Sequence, residues 1–549
     1  MTEDTPNVNS QATQDQEIAK ILSMPAPALA VPAATKDQWV DALSTQIPHM
    51  VYMTEKGASL SPVAAGQTVQ DVIPLEWLGD YLLAYIPALG HWTPSRKLLT
   101  QTLMAVVPNI KPSYGLRQAE QIIEHAGALS PSYVLGDQPN IAELIARTWD
   151  AAPVITFKNG TLHVLSAQLR KHDPQYRTTW SVPFDWDPQA QSHQLDHFLE
   201  SAVPDPVSRK NLLAFLGYAL ARYDTSQHQF VYLLGSGSNG KSLFLKLVRK
   251  ALGAFWSNTS LGKLVGSRFG AGNLVFSALN FVGDQDAVYL ANTEVLKETT
   301  GFDALDVEKK FRDSFPFIAK TKFMFAVNSL PPTKDVSFGF FRRPIIVEFP
   351  CRFAQNKGYE DQLLGDDTIV QALIAKAIDA YQAMTQNKGF WIEGRTHDLL
   401  TQYRAKNDVV YSAVVDGLVF PVAGARIKPW ALTPLIALYA AEKEIKAPKQ
   451  SQILENLGQA GFTVQHVKTG PAKAREHWIE GLAVDPAQAR SLVDRAATSD
   501  RDGTATVSVG GKRIASEDLL DAWGLPTIAD PEIARRLKPR QEPQGVTRI

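Results

Sequence analysis

Gly235-Ser236-Gly237-Ser238-Asn239-Gly240-Lys241-Ser242 decides the fold of this chain. A β-rich apolar run, Phe230 to Leu234, enters the stretch, and an apolar-periodic segment (Leu243, Phe244, Leu247, Val248) leaves it. That is the GxxxxGK[ST] pattern in its strand–loop–helix context. Glycines let successive backbone N–H groups turn inward and cradle phosphate oxygens. The N-terminus of the following helix adds positive partial charge at the same place. Lys241 can reach the β- and γ-phosphates, and Ser242 can hold Mg²⁺. ATP and Mg²⁺ are the expected ligands, and all eight residues are candidate nucleotide-binding residues.

The totals set bounds around this core. At 549 residues the chain should hold several domains, and 45% hydrophobic residues is enough to bury a sizeable core. Lys and Arg number 55 against 56 Asp and Glu, so any basic surface must be local. The one cysteine, Cys351, excludes an intrachain disulfide and multi-cysteine zinc sites. It follows an apolar run and reads as a buried, inert thiol. No apolar run approaches a membrane span, and Met1 to Gln16 is acidic and polar without a signal pattern. The expectation is a cytoplasmic protein.

Composition shifts suggest six regions: a disordered tail (1–35), a helical N-terminal domain (36–145), a domain preceding the nucleotide core (146–227), an α/β core (228–385), a smaller mixed domain (386–485) and a partly disordered tail (486–549). Asp37 to about Gly136 reads as mostly helical. Val154 to Phe157, Asn159-Gly160 and Thr161 to Leu165 read as a β-hairpin. Three short apolar runs in the core, Ala278 to Gly283, Lys322 to Val327 and Ile345 to Phe349, have the look of buried parallel strands. Beyond 390, helical segments at Thr396 to Arg404, Leu432 to Glu444 and Gln450 to Ala460 precede the strand candidates Phe462 to Val467 and Trp478-Ile479, an order compatible with a winged helix. The predicted fold is therefore α/β, with a P-loop core, a helical N-terminal region and a C-terminal winged-helix-like domain.

Ligands of open α/β sheets bind at the C-terminal ends of the strands. Leu279 to Asp286 is an apolar run that ends in acids. Asp284 can hold Mg²⁺, and Asp284 or Asp286 can orient an attacking water. Lys322 to Asn328 ends in an amide that would sit beside the γ-phosphate. Arg342-Arg343 precede the last core strand, and a guanidinium from a neighbouring subunit can stabilise transition-state charge on a phosphoryl group. Lys468, Lys473 and Arg475 lie between two strand candidates, where a basic turn can meet duplex phosphates.

Taken together, these motifs resemble the superfamily-three helicases, in their phage and plasmid primase-helicase branch. The matching pieces are Gly235 to Ser242, the strand to Asp284, Leu296 to Asp303 with Glu308-Lys309-Lys310, Lys322 to Asn328 with Leu330-Pro331, and Gly339 to Arg343. Upstream, Asn159 to Leu162, His172 to Pro174, Pro183 to Asp187 and Leu213 to Leu220 resemble the domain before the ATPase in this branch. The resemblance covers roughly residues 150 to 480. It implies an AAA+ core assembled as a ring, usually a hexamer, around single-stranded DNA, with ATP between subunits. By position it implies Lys241 and Ser242 on phosphate and Mg²⁺, Asp284 as the acidic metal residue, Asn328 as sensor and Arg343 as the favoured trans arginine. Lys309 or Lys310 falls in the segment similar to the family's pore hairpin, where sequence-independent phosphate contacts suit a translocating motor.

Two departures stand out. Many relatives carry a glutamate or an adjacent acidic pair where this chain has alternating Asp284 and Asp286, which leaves the general base open between them. The N-terminal hundred-odd residues lack the clustered acids of two-metal nucleotidyl transfer, so a primase would be a separate protein. The expected activity is ATP-dependent unwinding of DNA, 3′ to 5′ by resemblance, in the replication of a phage, plasmid or integrated element. The alternatives are an origin-binding initiator without processive unwinding and an AAA+ ATPase acting on a non-DNA target.

Overall fold

The structure, a computed structural model, describes residues 31–55, 57–130, 148–266, 272–285, 289–307, 315–354, 356–427, 429–460, 465–469, 476–499, 505–509 and 512–523. The chain divides into two compact units, Met1–Pro331 with Arg343–Thr396, and Pro332–Arg342 with His397–Ile549.

The first unit is built on a five-stranded sheet in which every pairing is parallel. Its spatial order is Trp256–Ser257, Leu279–Gln285, Lys322–Val327, Phe230–Leu234, Pro344–Glu348. The central strand Lys322–Val327 is buried at every position and its neighbour Phe230–Leu234 at all but the last, so both read as continuous apolar runs rather than alternating ones. The helix Lys241–Leu252 crosses back from the glycine loop and buries Phe244, Leu245, Leu247 and Val248. The hairpin Val154–Phe157/Gly160–His163 forms, but with Phe157 opposite Gly160 its connecting residues are Lys158 and Asn159, one position before the expected Asn159-Gly160 turn. Helices His193–Ala202 and Pro206–Leu220 follow, capped by Ser192 and Asp205 side chains that accept from Leu195 and Ser208 N–H. Phe157, Trp180, Phe198 and Phe215 share one hydrophobic core with Val231, Phe244 and Phe281. The pre-core region is therefore packed continuously with the sheet.

The described N-terminal part is helical over more than half its length, but it also carries a sheet not expected from the sequence. Its helices (Ala33–Thr45, Pro62–Val72, Arg96–Val106, Leu116–Ala128) enclose an antiparallel sheet of Leu75–Leu78, Tyr81–Ile86 and His91–Pro94. The run from Tyr81 to Ile86 is apolar at every position, a pattern that fits a buried strand as well as a buried helix. This layer is tied to the pre-core region by an Arg177–Glu76 ion pair, by Trp92 Nε1 donating to Pro174 O at 2.9 Å, and by Trp92 N donating to Thr178 O at 2.8 Å.

In the second unit, Val419–Ile427, Glu476–Val484 and Gln465–Thr469 form an antiparallel sheet in that order. Helices Pro429–Glu442 and Gln450–Gln459 lie between its first and second strands in sequence. After 485 the described residues, 486–499, 505–509 and 512–523, carry regular elements. Helix Pro486–Ala496, strands Ala497–Ser499, Ala505–Val509 and Lys512–Ala515, and helix Ser516–Ala522 add Leu492, Val507, Leu519 and Trp523 to the core of Leu432, Leu435 and Ile453. A partly disordered tail is the expectation from 486; its described residues form regular elements, because amphipathic burial outweighs the segment's polar composition. Cys351 is half-buried rather than fully buried. Among the described residues no helix is long and apolar enough to cross a membrane.

Candidate nucleotide site

The loop after Leu234 is shaped by its small residues. Gly237 (φ 97°) and Gly240 (φ 90°) take left-handed backbone conformations that a side chain would strain, and Ser238 (φ 47°) sits between them. Gly235 is required for space: a Cβ there would stand 1.9 Å from Asn239 Nδ2 and 2.7 Å from Phe349 O. Asn239 is buried and donates to Phe349 O at 3.2 Å, which pins the loop to the end of the last core strand. Lys241 is buried too. Its Nζ donates to Gly235 O at 2.5 Å and to Asn239 Oδ1 at 3.1 Å, so the ammonium closes the loop from inside. A curled backbone of small residues, a helix N-terminus and an inward ammonium together fit a polyphosphate. Ser242, the second helical residue, is only partly buried, and a divalent cation bridging that phosphate would be held there.

The neighbouring strands bring the other candidates to the same edge. Gln285 is level with Val327, and Val327 with Leu234. Gly235 N donates to Val327 O at 3.1 Å, which stitches the loop to the adjacent strand. Asn328 follows Val327 directly and is exposed at that edge. Asp284 precedes Gln285 on the next strand. There the register slips: Val282 faces Phe325 but Gln285 faces Val327, so three steps on one strand match two on the other. The extra residue is a β-bulge in Gly283-Asp284, a device that re-aims side chains beside functional sites. Asp286 lies outside the described residues.

Arg342 and Arg343 occupy the opposite edge. Pro344 is level with Phe230, where the loop strand starts, and Phe230 N donates to Arg343 O at 2.9 Å. Five residue steps separate that level from Gly235, roughly 17 Å of strand. The two arginines differ. Arg343 is 7% exposed, its Nε donating to Thr300 Oγ1 at 3.0 Å and its Nη2 to Lys297 O at 3.3 Å on helix Glu294–Gly301. Arg342 is exposed.

Strands Ala304–Val307 and Phe315–Ile318 pair antiparallel, with Val307 opposite Phe315. Lys309 and Lys310 fall in the connection between them, which lies outside the described residues, as do Lys473 and Arg475. Lys468 is on strand Gln465–Thr469, paired with His477. Sequence reading missed the charged base of the first hairpin. Lys320 Nζ donates to Trp149 O and Asp150 O, both at 2.9 Å, and burial pushes its ammonium down to about 8. Lys322 Nζ donates to Asp224 O at 2.7 Å and stands 4.4 Å from the Tyr218 ring centroid. Burial holds it well below its ordinary range. Arg222, 1% exposed, meets Asp150 Oδ2 at 3.4 Å. Two lysines at the start of an apolar strand are visible in sequence, but their carbonyl partners are not.

Two family models match parts of the chain. "D5 N terminal like" covers residues 76–204, and "Family of unknown function (DUF5906)" covers 233–343, from within the loop strand to Arg343. A protein of Acanthamoeba polyphaga mimivirus named "Putative helicase" is 25% identical over 173 residues, 30% of this chain. The chain spans 18% of that relative's length. Apo structures of the NrS-1 C-terminal region align with TM-scores of 0.41 (11% identity, 76% of this chain and 99% of that one) and 0.39 (12% identity, 56% and 80%).

Proposed function

We propose that this chain is an ATP-driven DNA helicase of a phage, plasmid or integrated element, working as a homo-oligomeric ring with nucleotide at the seam between subunits. One observation carries the reading. The glycine loop, Asn328 and the acid strand share the C-terminal end of the strands, while the arginine pair stands at the other end, roughly 17 Å away along the strands. That span exceeds the reach of an arginine side chain, so either of these two arginines would have to serve the nucleotide of a second subunit. The similarity to a helicase-named viral protein and the D5-type match agree with it.

In this reading the loop N–H groups and Lys241 bind the β- and γ-phosphates, and Ser242 with Asp284 would hold Mg²⁺, which supplies charge neutralisation when bound. Asp284 or Asp286 orients the attacking water, and Asn328 positions it beside the γ-phosphate. Of the two arginines, Arg342 is the trans candidate, because Arg343 spends its guanidinium on Thr300 and Lys297 of its own chain. Lys309 and Lys310, between the paired strands, grip the single strand in the central pore. Lys468, Lys473 and Arg475 face duplex DNA at an origin. A separate primase would supply primers. The test is ATP turnover with and without single-stranded DNA. The reading expects DNA-stimulated turnover that Lys241→Ala abolishes; turnover indifferent to DNA would point to a non-DNA target instead.

A further inference from the structure

The chain between the amide strand and the arginine strand does not stay with the sheet. Residues Pro332–Arg342 belong to the second compact unit, and the boundary falls between Arg342 and Arg343. Thr333 N donates to Asn407 Oδ1 at 2.7 Å, and Asn407 Nδ2 donates in turn to Tyr403 O at 2.7 Å. Asp335 N donates to Thr333 Oγ1 and Ser337 N to Asp335 Oδ1, which carries the fixed backbone forward to a one-turn helix, Phe338–Phe341. Phe338 N, which lacks a partner within that short turn, donates to Gln459 Oε1 at 2.9 Å. Phe340 and Phe341 are buried and pack on Tyr403, with centroids 6.5 and 5.4 Å apart. Arg404 Nη2 donates to Gln459 O at 2.9 Å, and its guanidinium stands 5.8 Å from the Phe341 centroid. Arg342 N then closes the turn onto Phe338 O at 3.0 Å.

From these contacts we infer that the C-terminal module seats the trans arginine: Asn407, Gln459 and Tyr403 are positioning residues for Arg342. The inference rests on the reading of Arg342 given above. Its physical basis is that the backbone on one side of Arg342 is held by groups of helices Gly394–Asn407 and Gln450–Gln459. The second of these helices leads, through residues 461–464, into the strand that carries Lys468. The reach of Arg342 toward the adjacent subunit therefore depends on the module.

The test uses the full-length double variant Asn407→Ala/Gln459→Ala. Two lost hydrogen bonds should lower the turnover number for ATP at least about tenfold. Nucleotide affinity and the far-ultraviolet spectrum should hold, because this subunit's own phosphate loop is intact. Mixing the variant with Lys241→Ala subunits should restore turnover, since composite sites pair a working loop with a properly seated arginine. Gln459→Glu, which keeps an acceptor for Phe338 N, should retain most activity. Arg342→Ala is run in parallel. If Arg342→Ala loses turnover while the double variant retains it, the positioning role is overturned. Failure of the double variant to be rescued by Lys241→Ala subunits that do rescue Arg342→Ala overturns it too. Full turnover by Arg342→Ala itself would instead overturn the trans-arginine reading.

Discussion

Arg342 and Arg343 are adjacent in sequence but differ in burial, and replacing them one at a time should separate an effect on hydrolysis from an effect on stability. Arg343→Ala removes a guanidinium that is 7% exposed and makes two hydrogen bonds, to Thr300 Oγ1 and Lys297 O. Hydrogen bonds from a charged donor contribute about 1.5–3 kcal/mol each. Thr300 Oγ1 keeps its own bond to Leu296 O at 2.6 Å, which softens the loss on one side. The expected cost is roughly 3–5 kcal/mol, a large part of the about 5–15 kcal/mol that holds a domain together. Arg343→Lys should fall between, because an ammonium cannot reproduce the forked contact. Arg342 is exposed, so Arg342→Ala should leave stability within about 0.5 kcal/mol. Its effect should fall on hydrolysis, where a trans arginine accelerates turnover by roughly 10³–10⁵. Urea unfolding and steady-state ATP turnover on the same preparations read the two axes. The reasoning is refuted if Arg343→Ala unfolds like the wild type, or if Arg342→Ala hydrolyses ATP at the wild-type rate.

Three further outcomes are expected. ATP with Mg²⁺ at a hundred times its dissociation constant should stabilise the wild type by about 2.7 kcal/mol, and Lys241→Ala should show almost none of this in thermal melts. His91 is fully buried, and burial pushes its imidazole down to about 4 against an ordinary 6.5. Because the folded value is depressed, the unfolded chain binds the proton first. Stability is fully present above pH 6.5 and should decline by roughly 3 kcal/mol as pH falls toward 4. Denaturant unfolding of His91→Gln should lack that component, and an unchanged pH slope would show that another group carries it. Finally, Lys309→Ala/Lys310→Ala should flatten the salt dependence of single-strand binding by about 1.4 in log–log slope. An unchanged slope would remove these lysines from the DNA path.

Much of the sheet was legible because buried parallel strands announce themselves as short apolar runs. Phe230 to Leu234 and Lys322 to Val327 stand where the sequence puts them, and the predicted hairpin forms with its turn one residue early, at Lys158-Asn159. The N-terminal sheet was misread because Tyr81 to Ile86 has no polar position to set a period. The signal that could have found it is punctuation: Gly79 and Gly90, at φ 54° and 71°, bracket the central strand. The strand Trp256–Ser257 is two residues long and gives no pattern at all. At the site, the loop residues were readable because their chemistry is local. Three features were not, because each depends on distant chain: the bulge at Gly283-Asp284, set by the register with Phe325 and Val327; the division of labour between Arg342 and Arg343; and the buried Lys320, whose partners Trp149 and Asp150 lie about 170 residues upstream.

The most direct measurement is strand displacement on a forked DNA substrate, with ATP and Mg²⁺, comparing the wild type with Lys241→Ala and Arg342→Ala. ATP-dependent release of the labelled strand by the wild type, absent in both variants and restored in part when the two are mixed, is the predicted result. Vigorous ATP turnover by the wild type without any displaced strand, on forks of either polarity, would contradict a motor that converts hydrolysis into travel along DNA.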